Sequence, residues 1–295
     1  MKLIFVGDVD LSTPHNISPS VKKFLAEGDM VLGTLNSPVE YKHLDLLKDS
    51  NLKHLNLANS KLISHGSNRL HSIKVHLDWA KILYTGAGAD KNSAAGMFIR
   101  NFEVDFPRDT LFLGFPNLVV ENKKFFRVGF LGVSLVGKEY EALPEKPGIF
   151  YINIDHTASL IKKVKVAASK VDMLIVNIEW DLKGISDYKI PIKIRRLSRA
   201  LVNAGAKIIH GNYKNKYPIE IYKNSLIIWS CGQFMEDPQT SGMAVLASIE
   251  LEQIPYERNK YSDYLWYFTG YKNIKTNITY TLKRIINQNG NIVFE

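Results

Sequence analysis

Lys2-Leu3-Ile4-Phe5-Val6-Gly7-Asp8 runs through four consecutive apolar residues and stops on a glycine followed by a carboxylate. Such a run, closed by a turn residue, reads as a strand buried on both faces, as in a parallel sheet covered by other layers. Glycine allows a tight turn, so Asp8 is left at the strand end, where a ligand can meet it. Asp8 is the first candidate site residue. Its partners are expected at later strand ends.

Strand and helix patterns alternate outward from that opening. Residues 29–35, 52–57 and 81–84 read as strands, and 20–27 as a short helix with Ser18 or Ser20 as its cap. A second helix is expected over 67–80. Residues 111–115, 118–120 and 125–133 are strand-like, with a hairpin turn at 121–124, and 137–150 is a long surface loop. Helices over 158–169 and 192–204, the second closed by Gly205, alternate with strands at 172–177 and 207–210. Strands at 219–222, 226–230 and 244–251 complete the series. This alternation argues for stacked sheets and helices in one domain, residues 1–250, with 251–295 as a C-terminal extension packed on it.

At 295 residues, 45% hydrophobic and 11% aromatic, the chain can bury a large core. No apolar run approaches the roughly 18 residues of a membrane span. The apolar opening is short and lacks a cleavage site, so a cytoplasmic protein is expected. Cys231 is the one cysteine, which excludes an intrachain disulfide and a thiolate metal cluster. The net charge of +9 lies wholly in residues 161–223, with fourteen Lys/Arg against five Asp/Glu. A solvated helix face is the plain explanation, and a positive field for an anionic partner the functional one. Nucleic-acid binding near residues 195–199 lacks a motif and interleaved aromatics, and ranks last.

Taken in order, the motifs resemble the bacterial CapA family, metallophosphoesterase-like proteins associated with capsule and poly-γ-glutamate synthesis. Gly7-Asp8-Val9 is similar to the family's opening Gly-Asp-Val. Leu35-Asn36-Ser37-Pro38 stands where the family has Leu-Glu-x-Pro, and Leu57-Ala58-Asn59-Ser60-Lys61 where it has Leu-Ala-Asn-Asn-His. Glu179-Trp180 resembles His-Trp, and His210-Gly211-Asn212-Tyr213-Lys214-Asn215 the segment leading to Gly-His-His-Pro-His. Ser230-Cys231-Gly232-Gln233-Phe234 is similar to Ser-Leu-Gly-Asn-Phe. The resemblance covers about residues 1–237. It implies a four-layer α-β-β-α sandwich of the calcineurin-like type, with the site at the strand ends.

The resemblance also implies metal ligands, and here the chain departs from it. Asp8 and Asn59 are kept, but the Glu position is Asn36 and the histidine positions are Lys61, Glu179, Asn212 and Asn215. Lysine carries a charge and no lone pair, so it opposes a metal, and asparagine is a weak ligand for transition metals. A two-metal site is therefore disfavoured and no cofactor is expected. Asp8, Asn36, Asn59 and Glu179 remain the candidates if a divalent ion (Mn, Fe, Zn or Mg) is bound after all. Glu179 with Asp181 suits a hard cation, or Glu179 pairs with Lys61, and the ion pair is preferred because the two substitutions compensate in charge. His15, His65 and His210 read as hydrogen-bonded structural histidines, and Cys231 as buried packing.

The leading expectation is a non-catalytic, anion-binding or regulatory component of surface-polymer synthesis. Lys61, Asn212, Lys214, Asn215 and Lys216 would hold a phosphate- or carboxylate-bearing small molecule or polymer. Partner proteins of such a pathway are a further expectation. The alternative is a metal-dependent phosphoesterase with a rebuilt one-metal site around Asp8 and Asn59.

Overall fold

Residues alternate between two apolar layers along every central strand. In Lys2–Val9, Ile4 and Val6 pack against one cluster, whereas Leu3 and Phe5 enter another. In Met173–Glu179, Leu174, Val176 and Ile178 face a third cluster, while Met173 and Ile175 join Leu3 and Phe5. Side chains on a strand point to opposite faces with a period of two, so each sheet has two covered faces. The cluster shared by both sheets is the inter-sheet core. The other two lie beneath helices. Four layers result, α-β-β-α. The computed structural model describes residues 1–64, 66, 69–103, 125–180, 190–213, 215–236, 240–253 and 274–295.

The first sheet runs in the order Asn16–Ile17, Asn291–Phe294, Ile274–Gln288, Ser241–Gln253, Lys2–Val9, Met30–Leu35, Leu52–Asn56, Leu83–Thr85. Its last four strands are parallel, and Gln233–Met235 pairs in parallel with the end of the first. The second sheet has the order Lys216–Tyr222, Ser225–Cys231, Ala206–Asn212, Met173–Glu179, Phe125–Ser134, Phe98–Glu103. Helices Pro19–Leu25 and Arg69–Trp79 cover the first sheet, and Ala158–Ala168 and Ile192–Asn203 the second. Burying each large apolar side chain in these layers stabilises the fold by roughly 1.5–3 kcal/mol.

Several sequence expectations shift by a residue or two. Ser18 caps the first helix through its side chain, with Pro19 inside the first turn. The strand expected at 81–84 starts later, because Lys81 adopts φ 56° and turns the chain before Leu83–Thr85. An extra helix, Ser60–Ser64, precedes Arg69–Trp79. The loop 137–150 contains a 3₁₀ turn, Lys138–Tyr140, and a short strand, Gly148–Ile149, paired with Ala87–Gly88. The strands expected at 111–115 and 118–120, and the turn 121–124, lie outside the described residues. The C-terminal strand Ile274–Gln288 pairs along Ser241–Gln253 and so extends the first sheet.

Two glycines set the approach of the sheets to the site. A Cβ at Gly7 would run into the Gly232 carbonyl, to which the Asp8 amide donates at 3.0 Å. A Cβ at Gly211 would run into the Trp180 ring. Trp180 is held in turn by its Nε1–H, which donates to the Trp229 carbonyl at 2.9 Å. Gly211→Ala is therefore expected to destabilise the fold by about 2–3 kcal/mol through overpacking. Urea unfolding would show a lowered midpoint, and an unchanged midpoint would refute the close approach.

Candidate functional site

Parallel strands deliver the candidate residues to one rim, as open α/β sheets do at their carboxyl ends. The first strand runs on through Gly7, where the sequence suggested a turn, so Asp8 is the penultimate residue of Lys2–Val9. Asn36 follows Met30–Leu35, and Asn59 follows Leu52–Asn56. From the second sheet come Glu179 and Asn212, each the last residue of its strand. Glu236 follows Gln233–Met235. With Lys61, they line a cleft of about 880 Å³, and the turn around Lys138 forms its outer wall.

Asp8 is only 4% exposed, and its Oδ1 has no hydrogen-bond partner. Burial pushes its carboxyl up to about 8, with Glu236 and Glu179 adding to the rise and the Asn36 and Asn212 amides opposing it. Asn59 is committed to its own helix. Its Oδ1 accepts from the amides of Lys61 at 2.8 Å and Leu62 at 3.2 Å, while its Nδ2 donates to Asn36 Oδ1 at 2.6 Å. This is the role of a helix N-cap.

Glu179 does not pair with Lys61. Its carboxylate accepts from the Ser60 amide and hydroxyl, each at 3.0 Å, and from the Ser134 hydroxyl at 2.5 Å. The Lys61 ammonium instead lies 2.7 Å from Glu236 Oε1 and 3.1 Å from Asp10 Oδ2. The reason is helical geometry. Successive residues project about 100° apart, so if Ser60 faces Glu179, Lys61 faces elsewhere. Burial opposes the Lys61 charge, but Glu236 and then Asp10 outweigh it and hold the ammonium well above the ordinary lysine value. Asp10 is partly buried, which raises its pKa, yet the Ser12 hydroxyl and amide and Lys61 hold it below the usual carboxylate range.

The other sequence candidates scatter. Lys216 and Asn215 are not among the cleft's lining residues. Lys214, Asp181 and His65 lie outside the described residues. His15 bonds the Asp10 carbonyl at 2.7 Å, and His210 sits between the sheets against Asn177 Oδ1 and the Val6 carbonyl. Both are hydrogen-bonded structural histidines. Cys231 is fully buried, and burial, then the nearby Asp8, pushes its thiol upward. Sequence reasoning missed Asp10, Glu236 and Ser134. Asp10 alone had a signal, as it stands two residues beyond Asp8 and so on the same side of an extended chain.

The donors do not fit the two-metal site that the resemblance implies. Among the described residues, no imidazole lines the cleft and no group of three His, Cys, Asp or Glu converges on one point. The Asn59 carbonyl is turned to its helix, and an ammonium stands on a histidine position.

Comparison with known proteins bears on the family and the fold. The chain is 25% identical over 261 residues to the PGA biosynthesis protein CapA of Bacillus subtilis (strain 168), covering 79% of this chain and 62% of that protein. It therefore spans less than two thirds of the curated relative's length. A candidate 5′-nucleotidase from Staphylococcus aureus, solved in complex with alpha-ketoglutarate, superposes with a TM-score of 0.50 at 11% identity. That match covers 96% of this chain and 54% of the other, and it shows the fold alone. The family model described as bacterial capsule synthesis protein PGA_cap matches residues 2–238, from the opening strand past Glu236, and on that span the chain belongs to this family.

Proposed function

We propose that the chain is a non-hydrolysing, ligand-binding component of surface-polymer synthesis, built on a phosphoesterase scaffold. The supporting observation is the Lys61 ammonium, clamped by Glu236 and Asp10 where the resemblance places an imidazole. A cation held there opposes a metal ion and offers it no lone pair.

The ligand follows from what the cleft leaves unsatisfied. Asp8 Oδ1 and Glu236 Oε2 are buried oxygens without hydrogen-bond partners. Each such group costs about 1–3 kcal/mol until a donor arrives. A segment bearing N–H or O–H groups, such as a polyamide or a sugar chain, complements them. Tyr140, Tyr151 and Tyr213 stand around it. Because Lys61 is already countered by two carboxylates, it is a poor anchor for a free anion. The relative's name refers to PGA biosynthesis, which makes poly-γ-glutamate the first probe. Calorimetry should show binding that weakens at least tenfold in Asp8→Leu, with no hydrolysis of a generic phosphodiester by the parent.

The same two oxygens favour a second reading. Hard divalent cations prefer carboxylate and amide oxygens, so a hydrolase with one ion near Asp8 is the alternative. Elemental analysis finding about one equivalent of Mg or Mn, lost in Asp8→Leu together with phosphodiester hydrolysis, would put this reading in place of the first.

A further inference from the structure

A second cleft, about 530 Å³, opens beside the first, and Lys138 and Tyr151 line both. Its charge is the reverse of its neighbour's. Lys91, Lys138 and Lys163 line it against the single carboxylate of Glu141. Lys91 stands 3.6 Å from Glu141 Oε1, a loose pair with both side chains partly in solvent. Lys138 and Lys163 have no carboxylate within ion-pair distance among the described residues.

Lys163 is the informative member. Its ammonium lies 5.6 Å from the centroid of the Phe150 ring, in a half-buried position. Burial, and then the charge of Lys170, hold it below the ordinary lysine value. A half-buried cation over an aromatic face, without a counterion among the described residues, is open to a negative partner. Ser159, in the first turn of the helix Ala158–Ala168, lines the same cleft, and Thr157 supplies no side-chain cap there. The positive end of this helix therefore opens toward the lysines.

We propose that the second cleft is an anion subsite, which takes a carboxylate or phosphate group of the same chain-like ligand whose donor-bearing segment enters the first cleft. This assignment rests on the ligand-binding role proposed above. The shared wall of Lys138 and Tyr151 lets one chain lie across both clefts. Lysines act as point charges without the planar fork of arginine, so they attract either anion.

The test uses the double variant Lys91→Gln, Lys163→Gln, since neither residue lines the first cleft. Poly-γ-glutamate is titrated into it, the parent and Asp8→Leu, at two salt concentrations. Polyphosphate of matched charge, which has the anions but no N–H donors for the first cleft, is titrated into the double variant and the parent. At low salt the double variant should bind at least tenfold more weakly than the parent, with a shallower salt dependence. Lys163→Arg should retain binding, and thermal unfolding should match the parent's. A loss confined to poly-γ-glutamate assigns the subsite to carboxylates, and one confined to polyphosphate assigns it to phosphates. Parent-like binding by the double variant, with weakening only in Asp8→Leu, overturns the subsite and leaves the first cleft's role standing. Weakening only in the double variant leaves the subsite and removes the role of Asp8. No binding of either polymer to the parent overturns both.

Discussion

Asp8→Asn is expected to remove about 4 kcal/mol of pH dependence from the unfolding free energy between pH 5 and pH 8. The parent's Asp8 carboxyl is pushed up to about 8 by burial, from an ordinary value of 3.8. Between those values the folded protein keeps a proton that the unfolded chain releases. Stability from this group is therefore full below about pH 4 and is lost as pH rises through 8. Three pH units within that window correspond to about 4 kcal/mol at 1.36 kcal/mol each. The variant has no carboxyl to titrate there, so the difference between the parent's and the variant's unfolding free energies should change by about 4 kcal/mol across this range, whatever the other groups contribute to both. Urea denaturation in the presence of a chelator, at several pH values, would measure the difference. Parallel profiles would show that the Asp8 carboxyl is ionised in the folded protein across that range.

Acidification from pH 7 to pH 5 should act in the opposite direction, through two histidines between the sheets. His54 stacks on Phe130 and bonds Thr85 at 3.0 Å, and burial pushes its imidazole down to about 3. His210 packs edge-on against Phe5 and is pushed down to about 4, also by burial. Here the unfolded chain takes protons first, below about 6.5, while the folded protein resists them. Stability is full above that value and is lost as pH falls. Each imidazole should contribute a loss of about 2 kcal/mol by pH 5, or about 4 kcal/mol together. Asp8 offsets this in the parent, so the measurement belongs in the Asp8→Asn background. Adding His54→Gln there should halve the loss. An unaltered slope would mean that His54 reaches solvent.

The balance between these groups explains why the inter-sheet layer tolerates polar residues at all. His54 and His210 are neutral at neutral pH, so each carries one N–H. That of His210 can go to the Val6 carbonyl or to Asn177 Oδ1, and His54 reaches Thr85 through Nε2 while its Nδ1 has no partner. Neutral, hydrogen-bonded side chains pack between apolar sheets at modest cost, whereas charged ones do not. From the sequence, His210 read as structural for a different reason: it lies two residues before Asn212, beside a ligand position of the resemblance and not on it.

Local chemistry explains what could be read without coordinates. Leu3 to Val6, and later the runs around 172–177 and 226–230, carry apolar residues on both strand faces, which forces a buried sheet whatever its neighbours are. Ser18 and Gly205 mark helix ends because one offers a side-chain acceptor and the other a positive φ, 112°. The strand pattern marked Asp8, whereas Asn36, Asn59, Glu179 and Asn212 were marked as site positions by the family resemblance, and the structure brings all five to one rim. What each side chain meets there follows from neither. Charge compensation suggested Lys61 with Glu179, but one step of helical rotation gives Ser60 to Glu179 and Lys61 to Glu236. The second cleft gathers Lys91, Lys138 and Lys163 from three separate segments. Their approach depends on how a loop, a short strand pair and a helix pack, and no spacing along the chain encodes it. Strand, cap and turn preferences act over a few neighbouring residues, so the sequence determined the layers and the rim. Ion pairs and clefts depend on distances between remote segments, so only the tertiary structure decided which charges meet.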